Sequence, residues 1–241
     1  MAARSDDVTH LPDLRDRVHV FADRRDAGRV LAGMLADLRG TATTIVAVPA
    51  GGVPVAVAIA ERLGLPVDVA VVSKMTPPGN TEAGYGAVAF DGSVRVNHDA
   101  VRWFGLTADD VAAGVATTRA KVARRVAAFR GDRPAPDYTG RTVVLVDDGL
   151  ASGFTMLVAV EAVRRLGAER VVVAVPTASE ARIGVVAAAA DAVHCANLRG
   201  GMRFAVADAY VRWSDVDEAE AVAMFQRGAQ WPRSAGAGWT S

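Results

Sequence analysis

The stretch VVLVDDGLASGFT, Val143 to Thr155, sets an apolar run directly against two adjacent aspartates and a loop of small residues. Such a run, rich in valine and bounded by turn residues, reads as a buried strand. The loop opens into an apolar-periodic stretch, predicted to be a helix over Thr155 to Leu166 with Gly167 as its stop. Strand, loop and helix in this order form the unit of an α/β fold, whose ligands bind beyond the carboxyl ends of the strands. Asp147 and Asp148 stand at that end. Adjacent carboxylates repel one another and lose hydration when partly buried, so keeping both requires a partner such as vicinal hydroxyls or a metal. Backbone amides of the small loop, with the hydroxyls of Ser152 and Thr155, suit a phosphate at the helix N-terminus. A phosphorylated sugar satisfies both demands.

The same alternation extends outward. FADRRDAGRVLAGMLADLRG places Val30, Leu31, Met34, Leu35 and Leu38 on one helix face, which predicts a helix over Asp23 to Leu38. TIVAVPAGG is a short strand ending in paired glycines, and VPVAVAIAERLGL is the helix after it. PVDVAVVSK reads as one buried strand, MTPPGNTEAGYG as a loop, and GAVAFDGSVRVN as a hairpin turning at Asp91-Gly92, a pair that suits a type I′ turn. Thr107 opens a helix reaching Phe129, with Asp109 and Asp110 at its positive end. The basic later half, RAKVARRVAAFR, is expected to face water, and replacement of Arg125 to leave ligand binding intact. The strand RVVVAVPTAS, a helix over Glu180 to Ala190 and a strand over Ala192 to Asn197 complete a mainly parallel sheet flanked by helices.

Composition narrows the partners. Of 241 residues, 51% are apolar, enough for a proper core, and 27 basic side chains balance 27 acidic ones. No basic field recommends nucleic acid, and no apolar run is long enough to cross a membrane. The single cysteine, Cys195, excludes an intramolecular disulfide and a cysteine-rich metal site; it is expected to be a buried, inert thiol, and His194 a satisfied core histidine. These features are those expected of a soluble cytoplasmic protein. Neither glycine-rich loop carries the Gly-Lys-Ser/Thr of a P-loop, AGGVPVA lacks the dinucleotide fingerprint, and no hydrolase elbow occurs.

Apolar residues, two acids and a small-residue loop in this order resemble the phosphoribosyl pyrophosphate (PRPP) signature of type I phosphoribosyltransferases. VPAGGVPVA, Val48 to Ala56, resembles their pyrophosphate-binding loop, and VSKMTPPGNTEAGYGAV their strand end and mobile loop. FADRRDAGRVLA, and more loosely RFAVADAYVRWSDVDEAE, resemble a group of stand-alone members of uncertain acceptor. The resemblance covers about Phe21 to Ser179 and implies a domain over residues 21–230 with a C-terminal hood, while composition reads residues 1–20 and 231–241 as tails. It implies that Asp147 and Asp148 bind the ribose hydroxyls, directly or through Mg²⁺ and water, and that Gly149, Ala151, Ser152, Gly153, Phe154 and Thr155 wrap the 5-phosphate. Ala50, Gly51 and Gly52 would face the pyrophosphate, Lys74 would neutralise its charge on departure, and Glu82 would contact the nucleophile or the metal. A homodimer and a nucleobase-like acceptor are implied with them.

Two departures qualify this resemblance, and one set of aromatic residues is left open by it. Relatives commonly have arginine where Ala50 stands, and Arg24 or Arg25 is the candidate substitute. Ala151 replaces the aspartate that serves the purine in hypoxanthine-guanine enzymes, which disfavours 6-oxopurine acceptors. Tyr85, Phe204, Tyr210 and Trp213 form either an aromatic hood or part of the core. The alternative function, a non-catalytic PRPP- or nucleotide-binding regulator, rests mainly on Ala50.

Overall fold

The computed structural model describes residues 8–79, 83–201 and 203–228. Six parallel strands form its central sheet: β1 (Val8–His10), β2 (Thr43–Ala47), β3 (Val67–Val69), β7 (Thr142–Val146), β8 (Arg170–Ser179) and β9 (Ala192–Arg199), in the order β1-β9-β8-β7-β2-β3. A second, antiparallel sheet contains β4 (Val72–Met75), β5 (Gly86–Ala89) and β6 (Val94–Val96). The helices are α1 (Arg24–Met34), α2 (Gly52–Leu63), α3 (His98–Trp103), α4 (Ala108–Arg130), α5 (Phe154–Arg165), α6 (Glu180–Ala187) and α7 (Glu218–Gly228). The expected α/β class with a mainly parallel sheet is the one observed.

Period-2 alternation sorts the central strands into two cores. Ile45, Ala47, Val144 and Val146 pack beneath α1 and α2, while Val46, Val143, Leu145 and Val173 pack with Val158, Val160 and Ile183 of α5 and α6. Both faces are covered, so these strands read as unbroken apolar runs. Strand order reverses between β2 and β7, where Ala47 pairs with Val146, and the loops leaving that pair hold the functional motifs.

Several expectations are corrected. PVDVAVVSK is two strands in two sheets: after Val69 the Ala70 amide makes a last bond to Ala47, and β4 begins at Val72. A run apolar throughout carries no period to mark where it leaves a sheet. The hairpin forms, but only Gly92 has positive φ; Asp91 instead accepts hydrogen bonds from the amide and hydroxyl of Ser93, so the turn is not type I′. The N-terminal helix stops at Met34, with a 3-10 turn at Ala36–Leu38. The basic helix runs as predicted, capped by Thr107 and Asp110 in a capping box.

The segment expected to be an N-terminal tail carries structure from Val8 onward. β1 extends the sheet on β9, and the buried Asn197 side chain donates to the carbonyls of Leu14 and Arg17. Strand pairing and a buried amide do this work across the chain, which apolar periodicity cannot reveal. Residues 1–7 and 229–241 lie outside the described residues, as does Glu82. Among the described residues no helix is long and apolar enough to cross a membrane.

Cys195 is buried as expected, and desolvation pushes its thiol pKa up to about 12, far from a reactive thiolate. His194 departs from expectation, because its buried Nδ1 has no partner among the described residues. Burial holds its pKa below 6.5, the ordinary value, so the native state resists a proton that the unfolded chain accepts. Stability is therefore full above about pH 6.5 and falls as the pH drops below it. His194→Gln should flatten this segment of the pH–stability curve in thermal melts, and an unchanged slope would refute the assignment.

Candidate functional site

The crevice lies at the carboxyl edge of β2 and β7. From β7, the apolar run ends at Val146 and turns Asp147 and Asp148 out of the core, both half-buried. The Asp148 amide donates to Asp147 Oδ1 at 2.8 Å, which fixes the first carboxylate. Burial and the charge of Asp148 push the Asp147 pKa well above its ordinary value of 3.8. Burial also raises that of Asp148, but Arg24 opposes the shift. The pair titrates as a unit that holds a proton more tightly than ordinary carboxylates.

After β2 the loop from Val48 to Gly52 packs onto these carboxylates. A Cβ on Gly51 would overlap the Asp148 carboxylate, and one on Gly52 would stand 2.5 Å from the Val146 carbonyl oxygen and 3.0 Å from the Asp147 Cα. Glycine at both positions follows from this close approach, since Gly51 itself has ordinary helical angles. The Pro49–Ala50 peptide is cis. Gly52 N donates to the Val48 carbonyl and Val53 N to that of Ala50, while the amides of Ala50 and Gly51 have no protein acceptor among the described residues. Two donors thus stand free beside the aspartates.

On the other side, Gly149 to Gly153 runs from the aspartates into α5. Leu150 pins this loop to β8 by donating to the Thr177 carbonyl and accepting from Ser179 N. Gly153, at φ 75°, makes the left-handed turn before Phe154, a conformation that disfavours any other residue. Phe154 N, the first amide of α5, donates to Ser152 Oγ at 3.4 Å, and the amides of Ala151, Ser152 and Thr155 have no protein acceptor among the described residues. Ala151 and Ser152 are exposed, whereas Phe154 packs against the core shared with α5 and α6. The loop is therefore rigid at Leu150 and open at its tip, as an anion site requires.

Arg24, the first residue of α1, reaches the same point. Its Nε donates to Asp148 Oδ2 at 2.8 Å and Nη1 to the Ser214 carbonyl at 2.8 Å, with the guanidinium 3.9 Å from the Trp213 ring centroid. Arg25 instead pairs with Glu61 at the surface. The C-terminal segment closes over the aspartates: Tyr210 donates its hydroxyl to the Asp148 carbonyl at 2.5 Å, and Val206 fills the space a side chain at Gly149 would need. Phe21, Tyr210 and Trp213 form one aromatic row, with centroids 5.8 and 5.2 Å apart. Phe204 lies against Arg199. Tyr85 is buried with its hydroxyl against Gly114 of α4, so it supports the core. Lys74 is the exposed residue of β4.

Arg125 overturns its expectation. Its side chain is only 10% exposed, because it occupies the buried stripe Thr118, Val122, Arg125, Phe129 of α4. That helical spacing was visible in the sequence, masked by the charges around it. The Tyr210 hydroxyl and the Ser214 carbonyl left no such signal.

The donors present are hard oxygens. Among the described residues no cluster of three or more His, Cys, Asp or Glu could hold a metal unaided, and Arg24 occupies one Asp148 oxygen. That set fits a Mg²⁺ ion that keeps most of its ligands as water and substrate phosphate.

Comparison with known proteins agrees with this geometry. The model of the phosphoribosyl transferase domain matches residues 22–208. A Mycobacterium tuberculosis protein provisionally named a phosphoribosyl transferase is 38% identical over 208 residues, 86% of this chain and 47% of the relative. The chain thus spans about half the length of such relatives. Orotate phosphoribosyltransferase of Streptomyces coelicolor is 36% identical over 123 residues, 46% of this chain and 68% of that enzyme. The crystal structure of TT1426 from Thermus thermophilus superposes with a TM-score of 0.69 at 36% identity, covering 88% of this chain and 98% of that one. The crevice, its two loops and the aspartates between them all fall inside the matched span, and the chain belongs to the phosphoribosyl transferase domain family.

Proposed function

We propose that this protein transfers the 5-phosphoribosyl group of Mg²⁺-bound PRPP to a nucleobase-like acceptor, releasing pyrophosphate. One observation carries the reading: two sets of amides with no protein acceptor among the described residues, those of Ala50 and Gly51 and those of Ala151, Ser152 and Thr155, flank a pair of aspartates. PRPP has the matching order of groups, a pyrophosphate and a 5-phosphate with a ribose diol between them. Asp147 and Asp148 take the diol, Gly149 to Thr155 the 5-phosphate, and Ala50, Gly51 and Gly52 the pyrophosphate.

The bond from the anomeric carbon to pyrophosphate breaks and one from that carbon to the acceptor forms, the acceptor's proton passing to solvent. Charge on the departing pyrophosphate is met by Lys74 and by Arg24, whose guanidinium stands beside Gly51 through Asp148 and replaces the cation missing at Ala50. Mg²⁺, held by Asp147 and Asp148 directly or through water, would supply further charge neutralisation. The family resemblance assigns the exclusion of water from the oxocarbenium-like transition state to the loop that follows Lys74. Ala151 offers no acid or base to a 6-oxopurine. The family resemblance extends the proposal to a homodimer, whose subunit number light scattering would check, and the composition extends it to the cytoplasm.

The test is calorimetric titration of PRPP with Mg²⁺, followed by pyrophosphate release with a panel of nucleobases. Binding with release for one base establishes the transferase and its acceptor. Binding without release supports the regulator, in which Ala50 leaves too weak a grip for chemistry. No binding overturns the site.

A further inference from the structure

The basic run of α4 hides a buried guanidinium with three partners on three elements. Arg125 Nε donates to Glu218 Oε2 at 2.6 Å, Nη1 to Ser73 Oγ at 3.4 Å and Nη2 to the Pro49 carbonyl at 3.4 Å. Glu218 is the first residue of α7, Ser73 immediately precedes Lys74 on β4, and Pro49 immediately precedes Ala50. The short contact to Glu218 is the anchor, and the two longer ones reach toward the crevice.

We propose that Arg125 is a positioning residue for the pyrophosphate end of the site, acting through the Pro49 carbonyl on the Ala50–Gly51 loop and through Ser73 on the Lys74 strand. The Pro49 carbonyl and the Ala50 amide belong to one peptide group. A cation bonded to that carbonyl withdraws electron density across the peptide and makes the amide a stronger donor. The loop, which has no cation of its own at Ala50, thereby receives positive charge from α4. Planarity matters as much as charge, because a lysine carries one point of charge and cannot bridge three partners in a fixed fork. Among the described residues no buried guanidinium holds the 5-phosphate loop, whose anchor is the backbone pairing of Leu150 with β8.

This inference rests on the phosphoribosyl reading, and its test separates the two. Wild type, Arg125→Ala and Arg125→Lys are titrated with Mg²⁺-PRPP, with Mg²⁺-pyrophosphate and with ribose 5-phosphate, which lacks the pyrophosphate. In Arg125→Ala, PRPP and pyrophosphate should bind at least about tenfold more weakly, a loss equal to one good charged hydrogen bond. Ribose 5-phosphate should bind within about twofold of wild type, because its loop is anchored independently. Arg125→Lys should fall between the two for PRPP and leave ribose 5-phosphate unchanged. Should the alanine variant fail to fold, the lysine variant is judged by the same contrast. Equal losses for all three ligands, or none, would overturn the positioning role and leave the transferase standing. Failure of the wild type to bind any of them would overturn the phosphoribosyl reading itself, and the inference with it.

Discussion

Asp147→Asn should raise the melting temperature of the free protein while removing its affinity for PRPP. Two carboxylates share one half-buried strand end, and burial together with the charge of Asp148 keeps the Asp147 pKa above its ordinary 3.8. A group whose native pKa is raised contributes stability that is complete below the unfolded value and is lost as the pH rises through the native one. Above the unfolded value the buried pair is therefore a cost. Asparagine removes the repulsion while keeping an oxygen for the Asp148 amide. The gain is read as a higher melting temperature at neutral pH, one that shrinks as the pH falls toward the unfolded value. Asp148→Asn should act oppositely on stability, because it severs the ion pair with Arg24, whose side chain is only 10% exposed. Breaking a buried pair costs about 3–5 kcal/mol, offset in part by relief at Asp147, so this variant should melt lower than wild type. Both should bind PRPP at least about 100-fold more weakly, since each loses a charged acceptor for a ribose hydroxyl. Thermal melts with and without PRPP check all of this. A lower melting point for Asp147→Asn would defeat the repulsion argument, and retained PRPP binding in both would defeat the site.

The second large effect concerns the paired glycines. At Gly51 an added methyl meets the far end of a side chain, the Asp148 carboxylate, which can swing away. Gly51→Ala should accordingly fold with a stability change of about 1 kcal/mol or less, yet lose PRPP binding, because the displaced carboxylate moves together with Arg24 and no longer meets the diol. At Gly52 the methyl meets backbone, the Val146 carbonyl oxygen at 2.5 Å, and backbone of a central strand cannot give way cheaply. Gly52→Ala should cost roughly 1–3 kcal/mol, or about 2–12 °C, in addition to the ligand. The same substitution one residue apart should thus separate binding from folding. Equal melting points for the two variants would show that β2 and β7 are less closely packed at their ends than the structure has them.

How much of this was legible in the sequence follows from which forces are local. The strand-loop-helix units, the capping box at Thr107 and the paired aspartates before a small-residue loop are written in contiguous residues. Periodicity, turn chemistry and the cost of adjacent charges act over a few positions, and a single sequence displays them. That is why the fold class and the position of the crevice could be read in advance. The partners of Arg24 and Arg125 could not, because each guanidinium is placed by segments remote along the chain, Ser214 for one and Glu218 for the other. A charged residue on a helix reads as solvated until the elements that bury it are known. The N-terminal segment is a related case: β1 pairs with β9 and the buried amide of Asn197 holds the carbonyls of Leu14 and Arg17, long-range bonds with no pattern in the residues they hold. Local chemistry determined what the crevice contains. Tertiary packing alone decided which cations reach it, because ion pairs and buried amides are satisfied across space and leave no period along the chain.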